Sequence, residues 1–194
     1  MPVPVPVLVP IPPAVEPLLE AAEGFDRCLQ RAASILINIS ERSMMKVLHL
    51  HCGGRLAHYL GQSTVFDITG ASESVRDVED AKARKQYTEA VLMLDGGTNQ
   101  FRPGSFQALV CLTPIDNQGG ISLTVQEALR LVTSDGFVLL GASEDEWEEH
   151  AVLEQLEAAS ATSGTNSSAT ILSLQLIDCG AASSYMLGLL RKTS

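Results

Sequence analysis

Three short apolar runs of this sequence end in turns whose residue types suit ligand binding. The runs cover residues 46–52, 64–69 and 90–95, and the first is followed by Gly53-Gly54. Backbone beside glycine can approach a ligand closely because no Cβ blocks the way, and a carboxylate at a strand end can accept hydrogen bonds from it. The carboxyl ends of neighbouring parallel strands meet at one edge of a sheet. The sequence therefore predicts a ligand-binding edge formed by the turns after the first three strands.

Histidines in the same region suggest a second kind of chemistry, that of a metal site. His49 and His51 are separated by one residue in the first run, so both imidazoles would lie on one strand face and could meet one ion; His58 follows nearby. Cys52 would point to the other face, and no carboxylate follows at the usual near spacing. We therefore favour ordinary, partly buried histidines and predict no metal site.

The elements that must position these residues alternate between strands and helices. The pattern predicts helices at 14–22, 25–39, 72–88, 124–133 and 144–159, and strands at 46–52, 64–69, 90–95, 106–112, 137–141, 170–177 and 185–190. Such alternation implies parallel pairing through right-handed crossovers. The predicted fold class is α/β, with a Rossmann-like seven-stranded, mostly parallel sheet, helices on both faces and an antiparallel last strand.

Local signals define several of these boundaries. Thr124 with Glu127, and Ser143 with Glu146, have the spacing of capping boxes that begin helices. Asp135-Gly136 is expected to end the helix at 124–133. The acids at 144–149 complement a helix dipole, so a partner-binding role is not needed to explain them, and Trp147 is expected to pack on the sheet.

Composition narrows the classes of protein and partner. The 194 residues are 45% apolar and 19% charged, which suits one globular domain at 14–194. The net charge of −10 disfavours a nucleic-acid partner, and no apolar run reaches the roughly 18 residues of a membrane span. The four cysteines are widely spaced, and Cys111 is expected to be a reduced, buried thiol. We expect a cytosolic or organelle-matrix protein without nucleic-acid or membrane partners.

Residues 1–13 form an N-terminal arm in which proline alternates with valine, leucine or isoleucine. Proline lacks an N–H and favours extended or polyproline II backbone, so this arm cannot join the middle of a sheet. Its valines favour docking on an apolar surface. The arm therefore predicts a contact with a protein partner.

The sequence lacks the motifs of three other classes of protein: dinucleotide-binding enzymes, P-loop nucleotide-binding proteins and serine esterases. The loop at 51–58 lacks the G-x-G-x-x-G pattern of dinucleotide-binding enzymes, and the chain is short for a separate substrate domain. No GK[ST] of a phosphate-binding P-loop occurs, and no serine lies in a G-x-S-x-G elbow.

The order of elements and the segment SFQALVCLTPIDNQGGISLTVQEALRLVTSDGFVLL at 105–140 resemble class I S-adenosylmethionine-dependent methyltransferases. The resemblance covers about residues 25–191, and this segment is similar to the strand, helix and glycine-led strand in the second half of that fold. It implies that S-adenosylmethionine binds at the carboxyl ends of the first three strands. Catalysis would then consist mainly of positioning a nucleophile against the methyl group.

The resemblance assigns the first turn to the methionine part of the cofactor. Gly53 and Gly54 take the place of the family's glycine loop, with one residue deleted. His49 stands where an acid is usual, and His51 replaces the first glycine. A purely structural strand-to-helix turn explains the same glycine pair, and the sequence leaves both interpretations open.

The resemblance also implies cofactor contacts at the ends of the second and third strands. Thr69 aligns with the carboxylate that binds the ribose hydroxyls, and Asp67, on the same strand face, is the nearest acid. Asp95 aligns with the residue that accepts a bond from the adenine amino group. Their alternatives are a polar strand residue at Asp67 and a turn-forming Asp-Gly at Asp95.

Departures from the family pattern leave two hypotheses. His49, Thr69 and Gln107 each replace an acid, and no residue can be nominated as a catalytic base. The protein is either an S-adenosylmethionine-dependent methyltransferase or a non-catalytic relative that serves as a binding module or subunit of a larger assembly. Fold similarity alone does not decide between them.

Overall fold

The computed structural model of the chain describes residues 16–40, 43–51, 55–60, 65–85, 87–94, 97–112, 124–149, 151–161, 168–178 and 184–193. The helices are α1 (Glu16–Ile39), α2 (Arg55–Leu60), α3 (Val75–Arg84), α4 (Val125–Leu131), α5 (Glu144–Glu149) and α6 (Val152–Ala161). The strands are β1 (Met45–Leu50), β2 (Phe66–Ser72), β3 (Glu89–Leu92), β4 (Phe106–Cys111), β5 (Val132–Ser143), β6 (Ala169–Asp178) and β7 (Ser184–Lys192). The predicted arm at 1–13 lies outside the described residues.

All seven strands form one sheet in the order β3-β2-β1-β4-β5-β7-β6. The pairs among β1 to β5 are parallel, whereas β7 is antiparallel to both β5 and β6. The predicted seven-stranded, mostly parallel sheet with an antiparallel last strand is therefore confirmed.

Alternating side chains of the central strands build two cores, one on each face of the sheet. One core joins the sheet to α1 and α2 and includes Val47, Val110 and Leu139 with Leu29 and Leu36. The other joins the sheet to α4, α5 and α6 and includes Leu48, Leu109, Leu140, Leu129 and Leu156. These central strands are buried on both faces, which accounts for their nearly continuous apolar sequences.

The N-terminal helices predicted at 14–22 and 25–39 are one helix, α1. Gly24 lies inside it, where glycine costs about 1 kcal/mol relative to alanine, too little to end a helix supported by packing. Cys28, Leu29 and Leu36 are fully or almost fully buried. The predicted break between residues 22 and 25 was wrong because tertiary contacts outweigh the local propensity.

The boundary between α4 and β5 also differs from the prediction. The helix ends at Leu131, and Asp135-Gly136 lies inside β5 rather than at the end of the helix. On β4, one residue separates Phe106 from Ala108. Their partners on β5, Val132 and Phe137, are separated by the four residues 133–136. Asp135 has φ 62°, and a Cβ on Gly136 would lie 2.8 Å from a backbone oxygen, so this dipeptide closes an irregularity within the strand.

The predicted acidic helix at 144–159 consists of two helices, α5 and α6. Ala151 has a left-handed φ of 47° between them, which changes the chain direction. Trp147 of α5 is buried against the sheet, as predicted, and Cys111 is buried as expected. None of the described helices combines the length and apolar character needed to cross a membrane.

Candidate functional site

The carboxyl ends of β1, β2 and β3 lie side by side. Leu50, the last residue of β1, pairs with Ala71, and Ser72, the last residue of β2, pairs with Leu92 at the end of β3. The turns that follow these three strands therefore leave the sheet at the same edge, as the sequence predicted. Gly53, Gly54 and Asp95 belong to these turns but lie outside the described residues, so their predicted cofactor contacts remain predictions.

His51 begins the turn after β1 and has a left-handed backbone, with φ 55°. This conformation costs an L-residue about 1–2 kcal/mol and is natural for glycine. Burial lowers the pKa of its imidazole, while the nearby carboxylates of Glu73 and Asp77 act in the opposite direction. The turn thus has the backbone conformation of a glycine at the position where the resemblance expects one.

His49 lies in the strand and is 3% exposed. Its Nδ1 is 2.7 Å from the Tyr87 hydroxyl, and the two rings are stacked with centroids 6.0 Å apart. Burial, with a smaller contribution from the charge of His51, lowers the pKa of His49 to about 3. The side chain is therefore neutral at ordinary pH and has a structural partner, at a position where the resemblance implies an acid.

The strand geometry that suggested a shared metal site does not extend to His51. β1 ends at Leu50, so the strand alternation that would put His49 and His51 on one face stops between them. His58 is exposed on α2, where it packs edge-on against Tyr59. Within the described ranges, no three histidine, cysteine or acidic side chains are grouped as a metal site would require.

Thr69 lies in the middle of β2 rather than at its end. It pairs with Leu48 on one side and Glu89 on the other, and is 5% exposed. Because β2 continues for three more residues to Ser72, Thr69 is about 10 Å behind the sheet edge, and Asp67 is further back. The predicted end of β2 was wrong, and the ribose-binding role assigned to both residues stays a prediction.

Ser72 occupies the end of β2 and is 3% exposed. Its hydroxyl donates to Asp77 Oδ2 at 3.2 Å and accepts from the Ser74 amide at 3.1 Å. Ser74 is the N-cap of α3 and accepts from the Asp77 amide. The sequence reasoning missed Ser72, although the Ser74 and Asp77 spacing of a capped helix start would have indicated where β2 must end.

The connection from β3 to β4 is held against α4 by hydrogen bonds to Glu127 and Arg130, which form an ion pair within that helix. Arg130 and Glu127 form two hydrogen bonds, of 2.6 and 2.7 Å, which lower the pKa of the Glu127 carboxyl. The buried Thr98 hydroxyl donates to Glu127, and Arg130 donates to the carbonyls of Thr98 and Phe101. Thr124 caps α4 as predicted, through its bond from the Glu127 amide. This cluster fixes the chain that follows the third turn of the site.

Gln107, the third position at which the sequence lacks an expected acid, has a structural contact. Its Oε1 accepts a 2.6 Å hydrogen bond from the amide of Lys46, one residue before β1 and β4 start to pair at Val47 and Ala108. This side chain ties the start of β1 to β4, at the sheet edge opposite to the candidate site.

Comparisons with known proteins concern the fold. No protein-family model and no curated protein matches the chain. Among solved structures, the chain is similar to the 1,6-didemethyltoxoflavin N1-methyltransferase of Burkholderia thailandensis, solved with S-adenosylhomocysteine (17% identity, 98% of this chain and 94% of that one, TM-score 0.61).

Two further structures have comparable similarity. The N-methyltransferase NodS of Bradyrhizobium japonicum WM9, also in complex with S-adenosylhomocysteine, matches with 13% identity, 88% of each chain and a TM-score of 0.61. The [4+2]-cyclase SpnF matches with 14% identity, 84% of this chain, 80% of that chain and a TM-score of 0.63. The chain therefore has the Rossmann-like fold that its structural neighbours among the class I S-adenosylmethionine-dependent methyltransferases share.

Proposed function

We propose that this chain is a methyltransferase-like protein that binds S-adenosylmethionine at the edge formed by the ends of β1, β2 and β3. The observation that carries this proposal is the left-handed turn at His51. A non-glycine residue retains such a strained conformation where its surroundings require it, and these positions concentrate at functional sites. The left-handed turn at His51 thus supports a cofactor loop in which histidine takes the place of a glycine.

The residues at this edge fit the cofactor in part. In the proposal, the backbone at Gly53 and Gly54 approaches the methionine part, and Asp95 accepts a bond from the adenine amino group. Asp67 or Thr69 was the sequence-based choice for the ribose, but Ser72 lies nearer to the edge. A serine or threonine hydroxyl gives a weaker contact than a carboxylate, so we expect weak cofactor binding.

In this proposal, the contribution of the chain itself is to orient the cofactor and the methyl acceptor. S-adenosylmethionine would supply an electrophilic methyl group, for a small molecule or a protein as acceptor. The chain would hold the cofactor at the sheet edge, and the cluster of Thr98, Glu127 and Arg130 would fix the segment after the third turn. We assign no catalytic base.

A finer relationship is part of this proposal. Within the methyltransferases that the sequence resembles, we propose the methyltransferase-like protein of the Williams–Beuren syndrome region as a functional comparison. The low identities of the structural neighbours, 12 to 17% for most, support the fold alone.

A second candidate function is that of a non-catalytic subunit or binding module, with the arm at 1–13 as a contact for a protein partner. Two site observations favour it. His49 is neutral and bonded to Tyr87, and the Ser72 hydroxyl is already bonded to Asp77. The similarity to the [4+2]-cyclase SpnF is a further reason not to infer methyl transfer from the fold.

Calorimetric titration with S-adenosylmethionine and with S-adenosylhomocysteine distinguishes the two. We expect micromolar binding that is lost in Asp95→Ala but retained in Asp80→Ala, since Asp80 is an exposed acid of α3 and serves as the matched control. Absence of heat from either ligand at millimolar concentration would overturn cofactor binding and favour the non-catalytic function. Equal binding by both variants would overturn the assigned role of Asp95.

A further inference from the structure

The outermost strand β6 has an apolar edge. It is ten residues long, ends the sheet order, and has no charged residue before Asp178. Leu172, Leu174 and Leu176 are 47%, 41% and 60% exposed. Long apolar edge strands promote pairing with other chains, and proteins normally guard them with charges, prolines or a covering segment. Among the described residues, no strand pairs with this edge.

The N-terminal arm has a matching pattern with a strict period of two. Positions 3, 5, 7, 9 and 11 are all β-branched and carry an N–H, and positions 2, 4, 6, 10 and 12 are all proline, with Leu8 as the one exception. In an extended strand, the N–H and C=O groups of alternate residues point to the same side. Such an arm has hydrogen-bonding donors along one edge, and its other edge has the N–H of Leu8 alone.

We propose that residues 3–11 pair with the outer edge of β6 in the same chain and close the sheet. The β-branched residues would supply the hydrogen bonds and cover the exposed leucines. The prolines would face outward, so the new edge could not add a further strand. This inference is independent of cofactor binding and explains why an apolar edge and an alternating proline arm occur together.

The start of α1 brings the arm within reach of β6. Arg31 of α1 donates a 2.8 Å hydrogen bond to Gln175 of β6, so the helix lies beside this strand. The N-terminus of α1 points to the carboxyl edge of the sheet, because its other end leads into β1. Both lengths are measured from the Arg31–Gln175 contact towards the carboxyl edge of the sheet. Along α1, Glu16 lies about 22 Å from Arg31, and along β6, the last residue lies about 10 Å from Gln175.

The remaining distance fits the chain available. The start of α1 therefore extends about 12 Å further than the end of β6. The four residues at 12–15 reach about 13 Å when extended, which is enough to span this distance. Residues 3–11 then extend about 30 Å back along β6, whose ten residues span about 33 Å. The arm would run parallel to β6, because it enters at the carboxyl end of that strand with its own last residues.

A pair of adjacent substitutions in the full-length chain tests the proposal. Val7→Pro removes an N–H from the edge that faces β6, and Leu8→Pro removes one from the edge that faces away. Both changes introduce one proline, and extended backbone tolerates each. Hydrogen–deuterium exchange of residues 169–178, followed by mass spectrometry, measures the protection of β6, and light scattering gives the mass of the particle.

We expect Val7→Pro to speed exchange in β6 by about threefold to tenfold, the effect of losing one hydrogen bond, and Leu8→Pro to leave it unchanged. A variant without residues 1–13 should show still faster exchange at unchanged protection of β1. Equal exchange in all proteins would overturn the pairing, and equal acceleration by both prolines would overturn the one-edged arrangement. Protection that depends on protein concentration, with a dimer mass, would overturn pairing within one chain.

Discussion

The Nδ1 atom of His49 lies 2.7 Å from the hydroxyl oxygen of Tyr87. His49 belongs to β1, and Tyr87 lies in the connection from α3 to β3, so the contact joins two neighbouring crossover units of the sheet. A carboxylate buried at this position would need a donor or a cation, whereas a neutral imidazole carries no charge, and its Nδ1 is bonded to Tyr87. The imidazole of His49 is therefore accommodated inside the sheet by a contact from the same chain.

Removal of the Tyr87 hydroxyl should destabilise the fold. Tyr87→Phe leaves a buried imidazole nitrogen without this partner, which costs about 1–3 kcal/mol of unfolding free energy. Urea denaturation followed by the fluorescence of Trp147, the one tryptophan, measures this change. Tyr59→Phe is a matched control at a partly buried tyrosine of α2. Equal effects of the two substitutions would show that the contact with His49 contributes nothing.

The buried imidazole should also make stability depend on pH. The pKa of His49 is about 3 in the folded protein and about 6.5 in the unfolded chain. As the pH falls below 6.5, the unfolded chain takes up a proton that the folded chain does not, so stability decreases until about pH 3. The slope contributed by this one group reaches about 1.4 kcal/mol per pH unit.

Comparison with a variant isolates that slope from other titrating groups. His49→Phe should be less stable at pH 7 but lose less free energy of unfolding between pH 6.5 and 4 than the original protein. His51 also has a lowered pKa and remains in both proteins, so its contribution largely cancels. Parallel stability curves for the two proteins would contradict a buried, neutral His49.

The sheet could be predicted from the sequence because each central strand is a short apolar run followed by a turn. β1, β4 and β7 were expected within two residues of their observed ends. Parallel order and an antiparallel last strand then follow from the alternation with helices and from its absence before the last strand. These are properties of periodicity, which a single sequence carries.

Strand and helix ends depended on contacts that a single sequence does not carry. The sequence predicted that β2 ends at Thr69, but the next residue, Gly70, pairs with His49 and Ala90 inside the sheet. The capping pair Ser74 and Asp77 was the better signal for the boundary. His51 and the bond between His49 and Tyr87 required the fold itself, since residues 38 positions apart meet only in three dimensions.

A glycine of β7 should be intolerant of a side chain because of Trp147. A Cβ on Gly188 would lie 2.9 Å from the indole ring, closer than atoms of a buried ring allow. Gly188→Ala should lower the free energy of unfolding by about 1–3 kcal/mol through overpacking. Denaturation is best followed by circular dichroism, because the change also alters the environment of the tryptophan.

A second substitution tests the cause of that loss. Gly188→Ala combined with Trp147→Phe should be more stable than the sum of the two single effects, since the smaller ring leaves space for the methyl group. Gly97→Ala is a suitable control, because a Cβ there has no contact below 3.4 Å. Strict additivity of the two changes would contradict a clash between these residues.

Moving a carboxylate from α3 to the end of β2 should strengthen the proposed binding of S-adenosylmethionine. Ser72 ends the strand, and its hydroxyl lies 3.2 Å from Asp77 Oδ2. In Ser72→Asp with Asp77→Asn, the net charge is conserved and the carboxylate stands at the sheet edge, where it can accept bonds from ribose hydroxyls. One additional charge-assisted bond corresponds to about tenfold tighter binding of S-adenosylhomocysteine in calorimetry.

The single substitutions are the controls for this exchange. Ser72→Asp alone places two carboxylates side by side and should destabilise the fold, and Asp77→Asn alone adds no acceptor at the edge, so neither should strengthen binding. Tighter binding by Asp77→Asn alone would attribute the gain to the removal of a negative charge. Measurable binding that is the same in the original protein and the double variant would reject Ser72 as the ribose position. Absence of binding in every variant would reject the cofactor itself, because a site that lacked only this carboxylate would regain affinity when it is supplied.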